Sequence, residues 1–202
     1  MKKILLIISA LALTLSLGAQ TKDAVLKNVE KAKATVENPK KASNPAAWMK
    51  LAETYVSAYN YPQSGLWIGA QAMEAKLVLK GQQVLSTETR NCSGIDFTVE
   101  VYEDKEVYFN PDGLLEVINV TKPIIDQPLE CAYEALMKAY DVDVKKSKKE
   151  DIAEQLSKLR DMYINEAMGA YTLGDIKTAN SYFEASLKVL DNPVVEKIDS
   201  MI

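Results

Sequence analysis

Four carboxylates fall within one short stretch, at Glu100, Glu103, Asp104 and Glu106. Side chains of this type can bind calcium or move protons during a reaction. Their spacing is not that of a calcium loop, which needs oxygen ligands at alternating positions and a closing glutamate. Acidic residues beside strand ends are ordinarily solvated. The chain contains no histidine, so the commonest general base and metal ligand is missing. No nucleophile and base, metal-ligand cluster or cofactor motif can be assembled from what remains. The sequence therefore gives catalysis little support, with no catalytic residue, metal or cofactor assigned. Lys145-Lys146-Ser147-Lys148-Lys149 is a basic run, read as the solvated part of a connection between helices.

The elements that would hold a recognition surface are helical. Over residues 161–193, Ile164, Ala167, Met168 and Tyr171 share one helical face, and Gly174-Asp175 makes a turn. A second helix then carries Ala179, Phe183, Ser186 and Leu187, and Pro193 closes the unit. Small residues at Ala167, Ala179 and Ser186 let the two backbones approach, with Tyr171 and Phe183 filling the space beside them. Such a pair cannot bury its apolar face alone and needs stacked neighbours. Earlier, Asn44-Pro45 supplies an N-cap and first helical residue for Trp48-x2-Leu51-Ala52-x2-Tyr55. Ala132, Leu136, Ala139 and Tyr140 repeat the small and bulky pattern of a second helix, so residues 44–143 read as one hairpin interrupted over 60–126. That interruption is far longer than an ordinary connection between helices.

Within it, residues 70–80 are strong helix formers ended by Gly81. From Ile95 the period becomes two, with Ile95, Phe97, Val99 and Val101 alternating with polar neighbours. Asn110-Pro111-Asp112-Gly113 then makes a turn between two further apolar runs. The expectation is a small meander of about three strands that needs the helices for stability. Before the hairpins, residues 21–43 carry Val25, Val29, Ala32 and Val36 at helical spacing as a leading helix. Residues 144–160 read as a linker and helix extension. Residues 194–202 begin another helical pattern, as a truncated piece of a longer product would.

Lys2-Lys3, an uncharged apolar run and Gly18-Ala19-Gln20 make residues 1–20 a secretory signal peptide, too short for a spanning helix. No cysteine follows that run to carry a lipid. Without Lys2 and Lys3 the 24 basic residues fall to 22 against 28 acidic, a net charge of −6, which disfavours nucleic acid. The expected location is periplasmic or secreted, without stable membrane insertion. In that oxidising setting Cys92 and Cys131 could form a disulfide closing the insertion onto its hairpin, or remain buried free thiols.

These motifs resemble secreted tetratricopeptide-repeat proteins, and the leader resembles those of Bacteroidota. The match rests on Trp48, Leu51, Ala52 and Tyr55, on Ala132, Leu136 and Ala139, and on Tyr171, Gly174, Ala179, Phe183 and Pro193. The resemblance implies a mainly α fold of helical hairpin repeats with a small β-meander inserted into the first. It also implies a groove for a protein or peptide partner. Met49, Glu53 and Val56 on one first helix, and Asn165, Gly169 and Thr172 on the other, would line it. Three functions follow as expectations: an interaction scaffold of the cell envelope, a structural assembly component, or the N-terminal part of a longer enzyme.

Overall fold

The computed structural model describes residues 21–195. The signal peptide read over 1–20 and most of the helix read over 194–202 lie outside the described residues. Val194 and Val195 belong to a turn after the last helix and are buried in the helical core.

Helix α1 spans Lys22–Glu37, α2 Pro45–Asn60 and α3 Ala72–Val78, followed by strands β1 Ser86–Cys92, β2 Ile95–Val101, β3 Lys105–Phe109 and β4 Leu115–Val120. Helices α4 Pro128–Val142, α5 Lys149–Thr172 and α6 Ile176–Leu190 complete the order. The start of α2 follows from its sequence: Asn44 accepts from Ala46 N at 3.0 Å and Pro45 takes the first turn, where its missing N–H costs nothing. The end of α5 is equally local. Gly174 has φ +82°, and the bonds Asp175 N to Ala170 O and Gly174 N to Tyr171 O close a Schellman turn. Asp175 then caps α6 by accepting from Thr178 N at 3.0 Å.

The helices share one core. Val25, Val29, Ala32 and Val36 of α1 meet Leu51, Ala52 and Tyr55 of α2 and Ala132, Leu136 and Ala139 of α4. Ala52, Ala132 and Ala139 are almost fully buried, and their small side chains allow α2 and α4 to pack together although 67 residues separate Asn60 from Pro128 at one end of the excursion to the other. Trp48 is half-buried, with its indole N–H donating to Ala42 O at 2.8 Å. Among the described residues no helix is long and apolar enough to cross a membrane.

The insertion folds as a four-stranded antiparallel sheet, ordered β1-β2-β3-β4, rather than three strands. The added strand is β1, whose Ser-Thr-Glu-Thr-Arg-Asn-Cys sequence lacks apolar alternation because it lies exposed at the sheet edge. Val107, Phe109 and Leu115 face α3 and pack with Leu66, Ala75 and Leu79. Phe97, Val99, Tyr108 and Val117 form a separate cluster against Leu173, just past the end of α5. The described residues are therefore mainly helical as expected, with a sheet larger than the small meander.

Several expectations fail in the second hairpin. Tyr171, Met168 and Leu187 are exposed, Phe183 is only half-buried, and Pro193 is exposed. The expected small residues Ala167 of α5 and Ala179 and Ser186 of α6 are buried, and the buried stripe continues back along α5 through Tyr163, Leu159, Leu156 and Ile152 into the helical core. A stacked neighbour is expected over Tyr171 and Met168, and no described element covers them. Helix α5 begins at Lys149, so the helix extension takes up most of the segment read as linker and helix extension. Its short connection is organised by Asp143, which is buried and accepts from Ser147 N at 3.1 Å and Lys148 N at 2.7 Å. Cys92 and Cys131 are free thiols. Cys92 adjoins the sheet cluster and Cys131 the helical core, so no disulfide ties the insertion down.

Candidate functional site

A cleft of roughly 390 Å³ opens between the N-terminal halves of α2 and α5. Met49 and Lys50 line it from α2, with Glu53 one helical turn further on. Lys148, Asp151, Glu154 and Lys158 face them from the start of α5, with Gln155 reaching across. Glu53 accepts from Lys50 Nζ at 2.8 Å and from Gln155 Nε2 at 3.3 Å, so it links the two helices. Lys148 pairs with Asp151 at 2.7 Å and Lys158 with Glu154 at 2.6 Å. Charges of both signs are thus interspersed over a floor that includes the buried Met49. Lys50 and Glu53 also line a second cleft of roughly 400 Å³ against α1, with Asn28, Lys31 and Thr35. They stand on the ridge between the two.

Deeper along the same pair of helices, Tyr59 OH donates to Glu166 Oε1 at 2.6 Å. Burial raises the pKa of both groups, and their proximity raises that of Tyr59 further. The hydrogen bond opposes the shift of Glu166 without cancelling it. A second pair lies between α4 and α5, where Tyr163 OH donates to Glu130 Oε2 at 3.2 Å while Lys188 holds the other oxygen at 3.2 Å. These contacts join helices, and each polar group has a partner.

The acidic stretch of the insertion is also paired rather than simply solvated. Arg90 bridges Glu88 and Glu106, at 2.9 Å from the latter, and donates to Tyr108 OH at 2.8 Å. Burial would raise the Glu106 pKa, but hydrogen bonds from Arg90, Tyr108 and Asn119 outweigh it and hold the carboxyl below its ordinary value. Burial, then Glu106, pushes Tyr108 up to about 12. Glu100 is buried and accepts from Tyr102 OH at 2.7 Å. Asp104 holds Lys105, whose fully buried ammonium also donates to Gln82 at 2.7 Å and Ser64 at 3.3 Å. Glu103 is exposed and reaches Lys122 only at 3.9 Å. The four carboxylates are therefore drawn to different partners. Among the described residues no group of three or more His, Cys, Asp or Glu side chains is placed to hold a metal ion.

Comparison with protein-family models, curated proteins and solved structures finds no match.

Of the six residues expected to line one groove, Met49 and Glu53 do meet in the cleft. Val56 is half-buried against the helical core. Asn165 is exposed outside the cleft, and Gly169 lies under β4, where an added Cβ would stand 3.4 Å from Val117 Cγ1. The Thr172 carbonyl accepts from Ser93 Oγ at 3.3 Å, so the tip of the β1-β2 hairpin occupies that end of α5. The insertion itself covers the flank that had been assigned to a partner. The α5 residues that do line the cleft fall in 144–160, which reads in the sequence as linker and helix extension and carries no expected groove residue. The spacing of Ile152, Leu156, Leu159 and Tyr163 carried the signal that the helix starts earlier.

Proposed function

We propose that the protein is a non-catalytic interaction scaffold of the cell envelope, exported through its leader, with a tetratricopeptide-type arrangement whose first helices, α2 and α5, receive a peptide or partner segment. The observation that carries this reading is the cleft between those helices, with interspersed charges over Met49. Paired surface charges form and break at little cost, so they can exchange partners with an incoming chain. An apolar floor supplies contact area, while the charged rim selects for sequence.

Capture of envelope partners on the purified protein tests this reading. The double variant Glu53→Lys with Glu154→Lys should abolish capture. Its stability should change by less than about 0.5 kcal/mol, as for most surface substitutions. Retained capture sinks the cleft as the binding surface.

A second reading, a permanent assembly component, is favoured by the insertion. Trp67, Ile68, Met73 and Leu77 are all about half exposed or more, and exposed apolar patches often mark contacts between proteins. Stoichiometric partners lost on replacing residues 61–125 by a short linker, and kept by the cleft variant, would select it.

A further inference from the structure

The two edges of the inserted sheet differ. Beside β4, Leu115 exchanges backbone bonds with Gly69 and Ala70, and α5 packs on the strand. Beside β1, no described element pairs with the outer edge. Ser86–Cys92 has no proline, no lysine and no bulge, and its two charges, Glu88 and Arg90, are of opposite sign. Its hairpin turn has two residues, Ser93 and Gly94, both at positive φ. Such a turn makes Cys92 and Ile95 the closing hydrogen-bonded pair. The backbone groups of Ser86, Glu88, Arg90 and Cys92 are thereby committed to β2, and those of Thr87, Thr89 and Asn91 point outward.

We infer that this edge pairs antiparallel with β1 of a second copy of the chain, centred on Thr89, to form a continuous eight-stranded sheet about a twofold axis. The sequence of β1 is complementary to itself in that register. Thr89 meets Thr89, Thr87 meets Asn91, Ser86 meets Cys92, and Glu88 meets Arg90 in both halves. Opposite charges directly across a ladder favour pairing, and like charges oppose it. The outward-facing residues must meet one another to bond across the axis, which places the axis on a residue and not between two; centring on Glu88 or Arg90 would oppose like charges, and centring on Thr89 does not. The register also brings Val84 and Leu85 of one copy to the Ser93-Gly94 turn of the other, beside Ile95. These three are each at least 40% exposed, and pairing would cover them. The interface lies on the insertion, so it is independent of the cleft between α2 and α5.

Sedimentation of the purified protein over a concentration series should show a reversible dimer. Glu88→Lys alone and Arg90→Glu alone each place like charges across the axis and should weaken dimerisation by about tenfold or more. Mixing the two variants should restore it, because each then meets an opposite charge. A protein that stays monomeric, or variants that dimerise as well alone as mixed, would overturn the inference. Covalent trapping checks the register without relying on those charges. Ser86→Cys puts a thiol opposite the free Cys92 of the second copy, at a non-hydrogen-bonded pair whose Cα separation of about 4.5 Å suits a disulfide. Mild oxidation should give a covalent dimer and no larger species. A folded variant that yields only monomer, or that takes up an extended peptide at this edge in place of a second copy, rejects self-pairing.

Discussion

The helical layer and the inserted sheet bury their apolar side chains in different ways. The helices of α1, α2, α4 and α5 contribute to one continuous core, with alanines at the close approaches and leucines between them. The sheet has two smaller clusters on opposite faces, one under α3 and one under the end of α5. A four-stranded sheet with such small cores depends on what flanks it, and here one flank is α3 of the insertion itself and the other is the end of α5. The helical layer should therefore set global stability, and the sheet should form a less stable unit resting on it.

The largest expected effect tests that division directly. Leu156 is fully buried in the helical core, and Leu156→Ala should cost about 3 to 5 kcal/mol and lower the denaturation midpoint of every helix together. Phe97 is equally buried on the sheet, and Phe97→Ala removes a comparable volume. Its loss should appear first as faster amide exchange in β2 and β3, with α2 and α4 still protected. If both variants melt the whole chain in one step, the sheet is part of the same cooperative unit and the comparison fails.

A smaller effect separates the polar devices of the two regions. Lys105 carries a buried charge into the α3 side of the sheet and is satisfied by Asp104, Gln82 and Ser64. Removing one partner leaves the charge behind, whereas replacing the charge by an apolar chain of similar length removes the need for partners. Asp104→Ala should thus destabilise the sheet by about 1 to 2 kcal/mol, reduced from the fully buried case because the Asp104 side chain is one-third exposed. Lys105→Met should be neutral or stabilising. The opposite order in a urea titration would mean that Lys105 is held for its charge.

Two carboxyls give the regions opposite responses to pH. Glu166, in the helical layer, has its pKa raised by burial. Between the ordinary carboxyl value and that raised value, the folded chain keeps a proton that the unfolded chain has lost, so stability falls as pH rises. Glu106, on the sheet, has its pKa lowered by Arg90, Tyr108 and Asn119 against the effect of burial. Its contribution is present above the ordinary carboxyl value and is lost as pH falls through the lowered one. Glu166→Gln should therefore gain in melting temperature relative to the parent as pH rises from 4 to 7. Glu106→Gln should lose relative to the parent as pH rises from the lowered value to the ordinary carboxyl value. Parallel pH profiles for the parent and the Glu166 variant would remove the buried acid from the account.

What was legible in the sequence was local. The N-cap at Asn44, the stripe Val25, Val29, Ala32 and Val36, the turn at Gly174 and the alternation from Ile95 to Val101 all rest on neighbouring residues, and each falls in its expected element. Misreadings arose where a distant segment decides. Tyr171 has the right spacing for a buried face, but burial depends on a neighbour that no described residue provides. Strand β1 has no apolar period because one edge and much of its surface face solvent. Gly169 and Thr172 resembled one flank of a groove, and only the folded insertion shows that β4 and the Ser93 turn lie there. The candidate site was half legible for the same reason: Met49 and Glu53 follow from the register of α2, while Asp151, Glu154 and Gln155 depended on where α5 begins.

The contact at Gly169 allows the smallest and most local test of how the two regions meet. Glycine inside a helix costs about 1 kcal/mol relative to alanine through backbone entropy. A Cβ at this position would meet the Val117 Cγ1 methyl at 3.4 Å, an ordinary contact with a side chain that can adjust. If the sheet rests on α5 without being clamped to it, Gly169→Ala should raise stability by about 0.5 to 1 kcal/mol, measured as a higher denaturation midpoint at unchanged slope. Gly169→Leu should reverse the sign, since the extra atoms must displace β4, and overpacking of this kind costs about 1 to 3 kcal/mol. Its damage should appear as faster exchange in β4 and at the Ser93 turn while Leu156 and its helical neighbours stay protected. A loss of stability already with alanine would mean that β4 and α5 are locked at closer range than this spacing requires, and that the sheet and the helices share one core at this point.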